Sequence, residues 1–171
     1  SIVAIAGPPE KRVLGCIKDG FWVPFSLPAC DFSPYIAVTE DYIIVQACFD
    51  NQPPKILKIH VQSGEWQVLL ADATFNDSQQ NAVIRPQSIC FKTLDNAHAY
   101  GFFYAAKKKN ESLPPLLVLC HGGPTAATSP QWDPMVQFWA QQGISVVDVN
   151  YRGSTGYGRQ YQDALEPKWG V

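Results

Sequence analysis

The residues best suited to chemistry stand together at His121-Gly122-Gly123-Pro124, directly after the apolar run Leu116-Leu117-Val118-Leu119-Cys120. Two adjacent glycines let a backbone turn sharply and leave its N–H groups bare of side chains. Bare amides of this kind can stabilise an oxyanion as it develops during acyl transfer. The plainer interpretation is a strand that ends in a tight Gly-Gly-Pro turn, since Gly and Pro punctuate turns throughout proteins. These four residues by themselves are compatible with both.

A second stretch, Asn150-Tyr151-Arg152-Gly153-Ser154-Thr155-Gly156-Tyr157-Gly158, is also rich in glycine. Its spacing, G-x-x-G-x-G, reverses the dinucleotide fingerprint, and no Gly-Lys-Ser/Thr follows to make a phosphate loop, so nucleotide binding is set aside. Ser154 resembles a nucleophile only superficially. A nucleophile elbow requires G-x-S-x-G, and here Arg152 fills the near glycine position, where the strained turn tolerates only a tiny residue. The five cysteines are scattered, without a C-x-x-C pair, and read mostly as buried, reduced residues of a cytoplasmic protein, with one hidden disulfide still open. His60, His98 and His121 are too dispersed for a metal cluster. No metal or other cofactor is expected.

The elements that must position these loops follow from periodicity. Pro114 and Pro115 set off the apolar run, which reads as a buried parallel strand delivering its C-terminal end to a crevice. Met135, Phe138, Trp139 and Ala140 have helical spacing within Gln131 to Gln142, and Gly143 stops that helix. Ile144 to Val149 is a second buried strand, so strand, helix and strand form a right-handed crossover of a parallel sheet. The Asn150–Gly158 loop then lies at the C-terminal edge, where open α/β sheets place their sites. Arg159 to Leu165 begins another helix.

The first half is different. Val13–Ile17, Tyr35–Val38, Tyr42–Phe49, Lys55–Val61 and Trp66–Leu70 are strand-like runs, the last two joined as a hairpin through Gln62-Ser63-Gly64-Glu65. A sandwich, a barrel or propeller blades would all suit them. Ala71 to Pro86 is polar and reads as a boundary between 1–85 and 86–171, or as a long surface loop. Ser88–Thr93 and Ala99–Ala105 form an antiparallel pair, and Lys107–Glu111 a solvated loop. With 171 residues, 46% of them hydrophobic, and a net charge of −2, the chain can build one good core or two small ones. It carries no basic stripe for nucleic acid or an anionic membrane. No apolar stretch approaches the ~20 residues of a membrane span, and the start lacks the charged leader of a secretory signal.

The stretch from Pro114 to Tyr161 resembles the start of the catalytic domain of prolyl oligopeptidase-type serine peptidases, in the branch of acylaminoacyl-peptidases and dipeptidyl aminopeptidases. His121-Gly122-Gly123-Pro124 matches that branch's oxyanion-hole turn. Asn150 to Arg159 matches the loop after the next strand, and Trp169-Gly170 stands in the expected place beyond. The resemblance implies a fold class in which a β-rich N-terminal part, the end of a β-propeller, precedes the first part of an α/β-hydrolase domain, with the site between propeller and hydrolase. It implies that the N–H of Gly123, assisted by that of Gly122, donates to the oxyanion during attack on a peptide carbonyl. His121, Pro124, Asn150, Arg152, Gly153, Gly156, Tyr157 and Gly158 would be structural members of the two motifs. A peptide substrate, no cofactor, and homo-oligomerisation of the full-length protein are compatible with this likeness.

In hydrolases of this fold the triad runs Ser, Asp, His, after the second of these strands. Val171 precedes any such serine. The sequence is therefore read as an internal fragment of a longer peptidase acting on short peptides near the N-terminus, inactive by itself, its truncated propeller exposing strand edges that are normally paired. An esterase of the same fold, and a non-catalytic binding module that kept the fold without the active residues, are the alternatives.

Overall fold

The computed structural model describes residues 2–94, 96–107, 112–123 and 125–166, and the chain divides into two compact units, Ser1–Val83 and Ile84–Val171. Lys108 to Glu111, Pro124, Trp169 and Gly170 lie outside the described residues.

In the first unit, β1 (Ile2–Ala6), β2 (Val13–Lys18) and β3 (Phe21–Pro24) form a three-stranded antiparallel sheet in chain order. The sequence reading did not assign β1 or β3. Asp19 and Gly20, at φ 50° and 83°, make the two-residue link between β2 and β3. An Asp-Gly pair adopts this left-handed geometry readily, and its twist suits antiparallel strands. A second antiparallel sheet follows as β4 (Asp31–Val38), β5 (Tyr42–Cys48), β6 (Lys55–His60) and β7 (Trp66–Leu70), again in chain order. The hairpin between β6 and β7 closes as expected, with Gly64 at φ 74° donating its N–H to the His60 carbonyl at 2.9 Å.

Alternate residues of β5 (Ile43, Val45, Ala47) and β6 (Leu57, Ile59) point to one face and meet Leu14 and Cys16 of β2, so both sheets share one core. Period-two burial of this kind is what a half-covered sheet requires. All five cysteines are free, which closes the option of a hidden disulfide. Cys16 and Cys48 are buried and Cys30 half-buried, but Cys90 and Cys120 are exposed, so the expected burial of most cysteines is corrected. Both exposed thiols belong to strands of the second unit. The polar stretch after β7 contains a short helix, α1 (Asp77–Asn81), started by a capping box between Asn76 and Gln79.

The second unit is a four-stranded mixed sheet in the order β10-β11-β9-β8. Its strands are β8 (Gln87–Lys92), β9 (His98–Tyr104), β10 (Leu116–Cys120) and β11 (Ser145–Asn150), with helix α2 (Pro134–Gln141) between the last two and α3 (Arg159–Asp163) after them. β8 pairs antiparallel with β9, β9 antiparallel with β11, and β11 parallel with β10. Asp133 caps α2 by accepting from the N–H groups of Met135 and Val136, and Pro134 opens the first turn. Val136 and Ala140 of the helix pack on Phe102, Tyr104 and Val146, with Leu117, Leu119 and Trp139 at the margin. Buried Gln137 is bonded in both directions to the backbone of Ile84.

Two expectations are corrected here. Met135 and Phe138 were placed on the apolar stripe of the helix, yet they are 50% and 54% exposed. Ala140 faces the sheet as expected, with Trp139 at its margin, and Val136 joins it there in place of Met135 and Phe138. β11 is buried as expected, whereas β10 is not. Leu116 and Val118 are each 55% exposed, because β10 is an edge strand and only its Leu117 and Leu119 face has a cover among the described residues. No helix among the described residues is long and apolar enough to cross a membrane.

Candidate active site at the end of β10

β10 ends at Cys120 and the chain turns through His121, Gly122 and Gly123. Gly123 has φ 68°, a left-handed conformation that suits a residue without a Cβ. At both glycines a Cβ would meet nothing within 4 Å, so the backbone here is open. Among the described residues neither amide is taken by a backbone or side-chain acceptor. Two unused donors therefore stand at the C-terminal end of a parallel strand.

The loop after β11 grips this turn. The Tyr151 hydroxyl lies where it can donate to the carbonyls of His121, at 3.0 Å, and Gly123, at 2.8 Å. Its ring stacks on that of His121, with centroids 4.4 Å apart and planes 19° apart. Ser154 donates to the Tyr151 carbonyl at 2.7 Å and sits 2.7 Å from His121 Nε2. A hydroxyl has one proton, so Nε2 must carry the hydrogen in that contact.

Asn150, fully buried, holds the chain beyond the turn. Its Oδ1 accepts from the Thr128 N–H at 2.8 Å, and its Nδ2 donates to the Thr128 carbonyl at 3.0 Å and to the Tyr157 hydroxyl at 3.1 Å. The Thr155 N–H adds a bond to the Ala126 carbonyl at 3.0 Å. Behind them, Tyr157 stacks on Tyr100 at 4.3 Å and Tyr161 meets Tyr100 edge-on at 5.3 Å, its hydroxyl donating to the Asn150 carbonyl at 2.7 Å. Burial pushes the Tyr161 phenol up to about 12, with nearby Arg152 acting in the opposite sense. Gly153, at φ 101°, is pressed against Leu165, whose Cδ2 lies 2.6 Å from where a Cβ would stand. Gly156 and Gly158 are also left-handed, at 94° and 90°.

A crevice of about 260 Å³ opens beside the turn, lined by Leu119, Cys120, His121, Thr128, Asp133 and Asp148 among others. Thr128 donates its hydroxyl to Asp148 Oδ2. Burial raises the Asp148 carboxyl above its ordinary value, against the lowering pull of the Thr128 bond and of nearby His121.

Ser154, His121 and Asp148 together invite a triad interpretation, which the geometry rejects. Ser154 has no exposed surface, so no carbonyl can reach its oxygen, and its proton is committed to a backbone carbonyl. His121 Nδ1 lies 3.4 Å from the Gly122 carbonyl, the place where a triad would put its orienting carboxylate.

Of the residues singled out in the sequence, His121, Gly122, Gly123, Asn150, Gly153 and Tyr157 converge on this turn and its bracing loop. Arg152 is half-buried near Tyr161, and Gly156 and Gly158 shape the loop. Pro124 lies outside the described residues. Tyr151, Ser154 and Thr128 are additional. The position of Tyr151 inside the glycine-rich motif was the one signal that could have flagged it.

Comparison with known proteins places the chain among peptidase relatives. The model of the prolyl oligopeptidase family matches residues 130–171. An uncharacterized peptidase of Bacillus subtilis, YuxL, is 26% identical over 132 residues, covering 77% of this chain and 20% of its own length. The dipeptidyl aminopeptidase BIII of Pseudoxanthomonas mexicana is 42% identical over 55 residues, 32% of this chain and 8% of its own. A crystal structure of puromycin hydrolase superposes with a TM-score of 0.86 at 26% identity, covering 95% of this chain and 26% of that one. The chain thus spans about a quarter or less of the length of these relatives. The β-rich first unit is the end of a β-propeller, which removes the sandwich and the barrel, and the second is the first part of an α/β-hydrolase domain.

Proposed function

We propose that this chain, a relative of the prolyl oligopeptidase-type serine peptidases, supplies the oxyanion-binding half of a peptidase site whose nucleophile, acid and base belong to a longer polypeptide. The observation that carries the reading is the pair of unused glycine amides at the end of β10. As a serine attacks a peptide carbonyl, the oxygen gains charge, and the N–H of Gly123, assisted by Gly122, donates to it. Donors already in place need no reorganisation when the charge appears, which is why such holes accelerate the chemical step more than binding. The second donor would be the amide after the nucleophile. The open edge of β10 supports this division, because a parallel strand added there would bring its C-terminal end beside the turn.

The substrate class is short peptides cleaved near their N-terminus, in keeping with the dipeptidyl aminopeptidase named above. No metal or cofactor takes part in acyl transfer of this kind. Five free thiols favour a reducing, cytoplasmic setting, and residues 1–85 and 86–171 act as parts of two domains. Without a serine nucleophile the 171 residues alone have no useful peptidase activity.

Replacing Gly123 by Val tests the reading in the longer polypeptide. A β-branched residue cannot hold φ near 68°, so the amide swings away. The expected result is a fall in kcat of ~10²-fold, about 3 kcal/mol, with little change in KM. Undiminished turnover removes Gly123 from the mechanism, and peptide hydrolysis by the 171-residue chain alone removes the division of the site.

A further inference from the structure

We infer that Tyr151 is the positioning residue of the glycine turn, acting through its hydroxyl on the backbone and not on substrate. The inference rests on the oxyanion reading for its catalytic consequence, but its structural content stands on the bonds themselves. In a trans peptide the carbonyl and the N–H of one plane point in opposite directions. The His121 carbonyl shares its plane with the Gly122 N–H, so anchoring that oxygen on the Tyr151 hydroxyl at 3.0 Å aims the Gly122 amide away from the tyrosine. The Gly123 carbonyl, held by the same hydroxyl at 2.8 Å, anchors the plane that follows. Between them lies the plane that carries the Gly123 N–H, with a glycine rotor on either side.

Neither glycine pays a Cβ penalty in the alternative orientations of that plane, so the two residues do not fix it by themselves. The hydroxyl has one proton to share between the two carbonyls, and by keeping both within reach of one oxygen it narrows the backbone conformations open to the plane between them. The tyrosine is itself held. Its ring lies flat against His121, and its own carbonyl accepts from Ser154, which also meets His121 Nε2. The hydroxyl therefore does to the turn what no residue within the turn can do, since residues 122 and 123 have no side chains.

Tyr151→Phe deletes the hydroxyl and keeps the stacked ring, so the variant is expected to fold. The first measurement is backbone ¹⁵N relaxation of the Gly122 and Gly123 amides in the 171-residue chain. Wild-type amides should be as ordered as those of β10, whereas the variant should show exchange broadening confined to the turn. The second is steady-state kinetics in the longer polypeptide on a peptide substrate. There kcat should fall roughly tenfold, the worth of about one lost hydrogen bond, with KM within about twofold. Amides as rigid in Tyr151→Phe as in wild type overturn the inference, and so does an unchanged kcat in an enzyme that Gly123→Val cripples. If Gly123→Val leaves turnover intact while Tyr151→Phe mobilises the amides, the oxyanion reading falls and the positioning role stands.

Discussion

Replacing Asn150 by Ala should loosen the second unit by an amount that the structure allows to be worked out. The side chain is fully buried and satisfies three groups: the Thr128 N–H at 2.8 Å, the Thr128 carbonyl at 3.0 Å and the Tyr157 hydroxyl at 3.1 Å. A buried polar group stranded without a partner costs about 1–3 kcal/mol. Thr128 is only half-buried, so water recovers part of the loss at both of its groups, and each contributes near the low end of that range. The Tyr157 hydroxyl adds a fraction more. The sum is a loss of about 2 kcal/mol, enough to shift a urea midpoint clearly while leaving the slope with denaturant unchanged. Hydrogen exchange of the β11 amides, alongside urea titration, assigns the loss to the second unit. A change below about 0.5 kcal/mol, the scale of an ordinary surface substitution, would refute the claim that Asn150 ties the two loops together.

Two other outcomes follow from titratable groups. Burial raises Asp148 above its ordinary 3.8, so the folded chain keeps that proton to higher pH than the unfolded chain does. The Asp148 contribution to stability is then fully present below that ordinary value and declines as pH rises through the raised one. Asp148→Asn should gain on wild type between pH 4 and pH 8 in paired urea titrations, and a constant difference would contradict the sign. Burial pushes Cys30 up to about 12 and Cys48 up to about 11. Iodoacetamide at neutral pH should therefore modify only Cys90 and Cys120, both exposed, with the other three reacting after denaturation, as counted by mass spectrometry.

Much of the strand content could be seen before any coordinates, because Ile43, Val45 and Ala47, then Leu57 and Ile59, alternate in and out of one core. β1 gave no such alternation, since every residue of Ile2–Ala6 is apolar, and β3 is only four residues long and ends in proline. The uniform run Leu116–Cys120 hid its exposure for a related reason. A strand of unbroken apolar residues looks the same at the centre of a sheet as at its edge, and only the strand order distinguishes the two. The glycine turn itself was legible as a sharp turn at the end of a strand, because paired glycines take left-handed backbone freely. What holds it was not, since Tyr151 and Ser154 reach His121 and Gly123 across 28 to 33 positions of sequence. Contacts of that separation are set by the register of β10 against β11, which no local pattern encodes.

The commitment of the Ser154 proton to a backbone carbonyl bears on how covalent probes would behave. A fluorophosphonate labels a serine only where the oxygen can be approached and deprotonated, and this one meets neither condition. Any phosphonylated serine found in a polypeptide containing this chain would therefore map outside the glycine-rich loop. The Ser154–His121 contact would then add no background to a count of labelled serines.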